Sequence, residues 1–164
     1  MIKATFSHLL PRSAFGKKLL ENLKFQSAEI QEIRAGFTAK MGDFRLFCLW
    51  PPPLKTLGKA ENDRSLVLLL KGHGKTFLLT GDLPGKLENK FITGDVDILK
   101  VAHHGSRSST TDKFLARLKS KACVVSVGAH NTYGHPTIET LRRLAAARCT
   151  IIRTDRLGDI FFKL

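Results

Sequence analysis

The sequence predicts a layered α/β fold of the α+β kind, a mixed sheet with flanking helices. Three observations predict it: a meander of apolar runs comes first, strands followed by helices fill the C-terminal two-thirds, and no internal repeat is present. A first helix is expected over 13–23, where Phe15, Leu19, Leu20 and Leu23 recur at roughly helical spacing. The run Phe44-Arg45-Leu46-Phe47-Cys48-Leu49-Trp50 reads as a strand, and Pro51-Pro52-Pro53 ends it because proline cannot donate to a ladder. A polar loop, KTLGKAENDR, follows over 55–64. Two apolar runs, 65–70 and 76–80, flank Lys71-Gly72-His73-Gly74-Lys75, which is the pattern of a β-hairpin. Leu87 and Phe91 share a face of a short helix expected over 83–91. A strand over 97–101 follows, and the polar stretch 107–112 offers several caps for a helix over 113–118. Another buried strand is expected over 122–127. A helix carrying Ile138, Leu141, Leu144 and Ala145 comes next, then a strand over 149–152 and a closing hairpin from 153–158 into 159–164.

At 164 residues and 43% hydrophobic, the chain is long enough for one domain, 1–164, with a substantial core. No apolar run approaches the length of a membrane span, and the opening MIKATFSHLL lacks the sustained apolar stretch of a signal peptide, so a soluble chain is expected. The formal charge of +13, from 27 Lys and Arg against 14 Asp and Glu, favours a polyanionic partner such as a nucleic acid. The same residues are scattered, and a solvated basic face accounts for them equally well. Cys48, Cys123 and Cys149 lie in or beside apolar runs without CxxC spacing, so buried free thiols are expected rather than a zinc ribbon or a disulfide framework.

The chemistry collects where apolar runs stop. Phe77 to Leu79 ends in Thr80-Gly81-Asp82, the next run ends in His103-His104-Gly105-Ser106, and a third leads to His130 and His135. Loops at strand ends are held by a rigid sheet, which makes them the usual place for functional groups in layered α/β folds. Carboxylate and imidazole ligands suit divalent zinc or manganese, and two such ions can activate a water and stabilise the leaving oxygen of a phosphodiester. The bland reading is a Gly-Asp turn and polar histidines at a loop-rich edge. His8 stands alone in sequence, and His73 belongs to the exposed hairpin turn; neither is a candidate.

Several motifs together carry a resemblance: LWPPP over 49–53, SLVLL from Ser65, FLLTGD ending at Asp82, DILKVAHHGS ending at Ser106, YGHP over 133–136 and RTD over 153–155. In this order and at similar intervals they resemble the metallo-β-lactamase-type domain of the DNA internalisation competence protein family, ComEC, over about residues 15 to 164. The resemblance implies an αββα sandwich of which this chain is a part. It also implies, in the complete domain, a two-ion centre that degrades one strand of incoming DNA. It makes Asp82 the bridging carboxylate and one of His103 and His104, with His104 favoured, a metal ligand whose neighbour meets a phosphate. His135 becomes a ligand or a phosphate-binding group, and Ser106, Ser109 and Tyr133 line a substrate pocket. Catalysis would then rest on Asp82, His103 and His135, and metal binding on Asp82, His104 and His135.

The departure from that family is as specific as the match. Its upstream HxHxDH ligand cluster has no counterpart among the six histidines, at 8, 73, 103, 104, 130 and 135, none of which forms an HxH or DH pair. The chain is therefore expected to correspond to the C-terminal part of the domain, without the HxHxDH-bearing part. Metal binding is expected to be weak or absent and hydrolysis impaired unless a partner completes the site. Partners implied are DNA, in single-stranded form, and a protein or second copy covering the missing layer. Cytoplasmic location and association with a membrane channel protein are both compatible with the resemblance. The reading from another class is a non-catalytic basic module that binds nucleic acid or docks onto a partner.

Overall fold

The computed structural model describes residues 3–7, 14–27, 29–53, 60–91 and 93–163. Its first elements are β1 (Lys3–Ser7), α1 (Ala14–Phe25) and β2 (Glu29–Ile33), with β1 and β2 paired in parallel. Parallel neighbours need a crossover, and α1 supplies it. The rest is one seven-stranded sheet whose strands lie side by side in chain order. It begins with β3 (Thr38–Met41), β4 (Phe44–Trp50), β5 (Val67–Gly72) and β6 (Lys75–Leu79), each antiparallel to the one before. It continues through β7 (Ile98–Lys100), β8 (Ala122–Val125) and β9 (Thr150–Arg153), all parallel to β6. Two helices, α2 (Asp112–Leu118) and α3 (Ile138–Ala146), make the crossovers from β7 to β8 and from β8 to β9.

Strand alternation decides which face is covered. In register across the sheet stand Phe47, Leu69, Leu78, Leu99, Cys123 and Ile151. Against that face α2 and α3 lay Phe114, Leu115, Leu118 and Leu144, all buried in one core with it. Burying each such side chain contributes about 1.5–3 kcal/mol. The helix starts are set by hydroxyl caps, since Thr111 accepts from the Phe114 amide and Thr137 from the Thr140 amide. Among the described residues no helix is long and apolar enough to cross a membrane.

Three expectations need correction. First, 83–91 is not a helix: only Gly85–Leu87 forms a 3₁₀ turn. A side chain at Gly85 would meet the Ser108 carbonyl at 2.8 Å, because this segment lies flat against the loop after β7. Second, no hairpin closes the chain. Residues Thr154–Leu157 form a short helix, α4, whose Thr154 hydroxyl donates to the Val127 carbonyl (2.8 Å) and bends the chain back onto the end of β8. The described residues beyond it carry no strand, and Phe162 packs edge-on against Phe77 at 6.0 Å. Third, Cys123 and Cys149 are joined in a disulfide, with Cys48 the free buried thiol. Parallel pairing of β8 with β9 brings the two sulfurs together, which spacing along the chain does not reveal. Residues 29–41 also hold two strands, which so short and polar a sequence does not signal. The hairpin β5–β6, the strand over Phe44–Trp50 and the helices α1, α2 and α3 are where the sequence places them. His8 lies outside the described residues.

Candidate metal centre

The polar ends of β6, β7 and β8 meet at one edge of the sheet. After β6, Thr80 is fully buried and its hydroxyl donates to the Lys100 carbonyl at 2.6 Å. Gly81 turns the chain at φ +53° with Leu66 and Ser65 close behind it, so a side chain there would be both strained and crowded. Its carbonyl accepts from the His103 amide at 3.0 Å and from the Lys100 ammonium at 3.2 Å. The Asp82 amide donates to the Ser65 hydroxyl at 3.3 Å, which fixes where the carboxylate starts.

After β7 the chain enters a tight turn, Ala102–Gly105, with His103 at φ 49° and His104 at φ 54°. Left-handed backbone costs a non-glycine residue on the order of 1–2 kcal/mol, so the surroundings must hold two adjacent histidines there. They do so from three sides. The Ser109 hydroxyl shares its one proton between the Ala102 and Ser106 carbonyls, at 3.0 and 3.1 Å. Buried Glu88 accepts from the Thr110 and Thr111 amides. From α3, Arg143 donates to the carbonyls of Arg107 (2.7 Å), Ser109 (2.8 Å) and Thr110 (3.1 Å), while the Thr140 hydroxyl donates to that of Ser106 (3.0 Å). Gly105 completes the turn because a side chain on it would meet Pro136 at 2.5 Å.

The histidines are thereby aimed. His104 places Nδ1 2.7 Å from the Ser126 carbonyl, which can only accept, so Nδ1 carries the proton and Nε2 presents a lone pair in the neutral ring. That Nε2 faces Asp82 Oδ1 at 3.7 Å. His103 lies with its ring 6.4 Å from that of His104 and 5.9 Å from that of His135. His135 is anchored by Asn131, which accepts from its amide at 3.0 Å and donates to its carbonyl at 2.8 Å. Its Nδ1 is buried without a hydrogen-bond partner among the described residues. Burial, followed by the neighbouring charges of His103 and His104, holds the His135 pKa below its ordinary value, against the pull of Asp82.

Asp82, His103, His104 and His135 are thus neighbours, whereas His130 lies exposed and outside their ring contacts. Of the residues expected to meet substrate, Ser106 and Tyr133 line a cleft beside His135. Ser109 does not: it is wholly buried and holds the turn from inside. Lys100 was not singled out by sequence. Its ammonium sits on the Gly81 and Val101 carbonyls near Asp82, and burial lowers its pKa against the attraction of that carboxylate. A lysine inside the apolar run Ile98 to Val101 is the signal that points to it.

The spacing of two of these donors suits at most one cation. At 3.7 Å, Asp82 Oδ1 and His104 Nε2 are too far apart to hydrogen-bond and close enough for one zinc ion, bound at about 2.0–2.2 Å, to touch both. The hydrogen bond from His104 Nδ1 to a carbonyl is the outer-shell support that a ligating imidazole usually has. Yet among the described residues no group of three or more His, Cys, Asp or Glu is arranged to hold a metal ion.

Over 151 residues, 90% of its length, the chain is 32% identical to ComE operon protein 3 of Bacillus subtilis. It is also related to one segment of the ComEC-type competence proteins more widely. Competence protein ComA of Neisseria gonorrhoeae is 34% identical over 109 residues, 63% of this chain, and recombination protein 2 of Haemophilus influenzae 30% over 110 residues, 66% of it. The chain spans only 19%, 16% and 14% of these three relatives' lengths. No family model matches it. Among solved structures, a protein classed as a metal-dependent hydrolase from Parabacteroides distasonis aligns with a TM-score of 0.54 at 11% identity, over 93% of this chain and 76% of that one. CmlA β-hydroxylase aligns at 0.52 and 13% identity, over 87% of this chain and 37% of its own. The two solved structures share the layered α/β fold described above, and the sequence matches one segment of the ComEC-type competence proteins.

Proposed function

We propose that this chain contributes the carboxylate and imidazole donors of a metal-dependent phosphodiesterase site that acts on DNA during its uptake. The observation that carries the reading is the convergence of Asp82, His103, His104 and His135 at the ends of adjacent strands. Zinc or manganese held by Asp82 and His104, with His135 as a further donor, would polarise a phosphoryl oxygen and acidify a bound water. His104 is set for this by its Ser126 partner, which fixes the tautomer and leaves Nε2 toward Asp82. His103, the neighbour of both other imidazoles, is placed to meet the phosphate. The remaining donors of a two-ion centre come, on this reading, from a partner or a further segment.

The test is cleavage of an end-labelled single strand by the purified chain with manganese or zinc. Cleavage that stops in EDTA and in both Asp82→Ala and His104→Ala, each still folded, is the expected outcome. Cleavage that survives either variant would put the chemistry elsewhere.

A second reading is favoured by the lack of a three-donor group among the described residues and by the charge of +13: a basic module that binds nucleic acid without cutting it. It predicts strand binding that weakens steeply with added salt and no cleavage with either ion.

A further inference from the structure

We propose that the cleft beside His135 is a subsite for one nucleotide of a single strand, its base stacked on Tyr133 and its phosphate against Arg107. The proposal deepens the function proposed above and rests on it for the ligand being DNA. The cleft has a volume of about 330 Å³, and its lining includes Ser106, Arg107, Ser108, Tyr133, His135 and Glu139. That size is at the small end for ligand pockets and suits one nucleotide rather than a duplex.

Tyr133 is the feature that asks for a ligand. It is 82% exposed, yet its ring lies nearly parallel to that of His135, with centroids 6.2 Å apart and planes 22° apart. The ring thus stands beside the imidazole, with most of its surface open to solvent. An exposed aromatic ring at the rim of a cleft can serve as a stacking platform, and every base has a face to offer it. A base inside a duplex has both faces covered by its neighbours, so the platform selects an unstacked strand.

The phosphate end has matching chemistry. The Arg107 guanidinium makes no hydrogen bond or ion pair with the described residues, while its own carbonyl is pinned by Arg143 at 2.7 Å. A free cation is therefore projected from a fixed backbone. Beside it the Ser106 and Ser108 hydroxyls pair at 3.2 Å, an arrangement that leaves one of their two protons available to an acceptor. Glu139, in the first turn of α3, is the one acid in the lining, a charge that repels phosphate and that Arg107 offsets. A base on Tyr133 would lie beside His135, whose ring is 6.2 Å from that of Tyr133 and 5.9 Å from that of His103.

The chain has one tyrosine, so a sample labelled in the tyrosine ring gives a single set of signals at this subsite. In EDTA, a thymidine hexamer should shift those signals saturably, and a blunt duplex should not. Tyr133→Ala should weaken hexamer binding roughly five- to 150-fold, the range for losing one base–aromatic stack, and Tyr133→Phe should bind as the parent does. Static ring signals, or hexamer binding that Tyr133→Ala leaves unchanged, would overturn the subsite. The exposed position of Tyr133 makes both variants tolerable to the fold. Because EDTA removes metals, a shifting ring in a protein that never cleaves would sink only the hydrolytic reading, and cleavage with a static ring would sink only the subsite.

Discussion

At the level of single residues, two imidazoles with different surroundings divide the work. His104 is exposed but tautomerically fixed by the Ser126 carbonyl. His135 is half-buried, with an unpartnered Nδ1 and two imidazole neighbours that disfavour its proton. A histidine whose folded pKa lies below its ordinary value stabilises the fold above about pH 6.5, where it is neutral in both states. That contribution is lost as pH falls through the ordinary value toward the folded one. An imidazole titration followed by NMR should therefore place His135 below the ordinary value, and Asp82→Asn should lower it further by removing the opposing attraction. A titration at or above the ordinary value would mean that His135 is not enclosed as described. That Asp82, His103, His104 and His135 gather at one edge of the sheet was legible in the sequence, because polar residue types able to bind a metal follow the apolar runs. Ser109 was misread because a serine next to histidines gives no hint of which way its hydroxyl turns, and Lys100 went unnoticed among aliphatic neighbours.

Among elements, the decisive contact is between α3 and the loop after β7. Arg143 bonds three carbonyls of that loop and Glu88 bonds two amides, so opposite charges hold opposite poles of the same backbone. Hydrogen bonds to charged groups are worth about 1.5–3 kcal/mol each, less where water competes. Arg143→Ala should lower unfolding free energy by roughly 2 kcal/mol and speed amide exchange over 106–111 more than in β5 or β6. Uniform loss of protection, or none, would show that the helix does not brace the loop. Helical periodicity announced α2 and α3, and flanking glycines announced the β5–β6 hairpin. The segment 83–91 misled because Leu87 and Phe91 do turn inward, but toward the core from a flat turn under the histidine loop. The ending of the chain misled because the Arg153–Asp155 ion pair and the Thr154 hydroxyl curl it into α4, where β-like residues follow.

For the whole molecule, the sheet and its two crossover helices were predictable in kind, while which strands lie beside which was not. The Cys123–Cys149 bond illustrates why: it depends on β8 and β9 being neighbours. It closes a segment of 26 residues that contains His135, Tyr133 and α3, and a cross-link of that span is worth about 3.5 kcal/mol. Reduction should accordingly lower the denaturation midpoint, an effect absent from the Cys123→Ala/Cys149→Ala protein; an unchanged midpoint would mean that the thiols are free. The larger issue is how far this assembly can act as a metal centre. Its strand ends bring one carboxylate–imidazole pair to 3.7 Å, and nothing among the described residues equips it for two ions. Calorimetric titration of the metal-free protein with zinc tests this most directly. No more than one ion should bind per chain, and neither Asp82→Ala nor His104→Ala should bind it. Two ions per chain, or undiminished binding in both variants, would contradict the account.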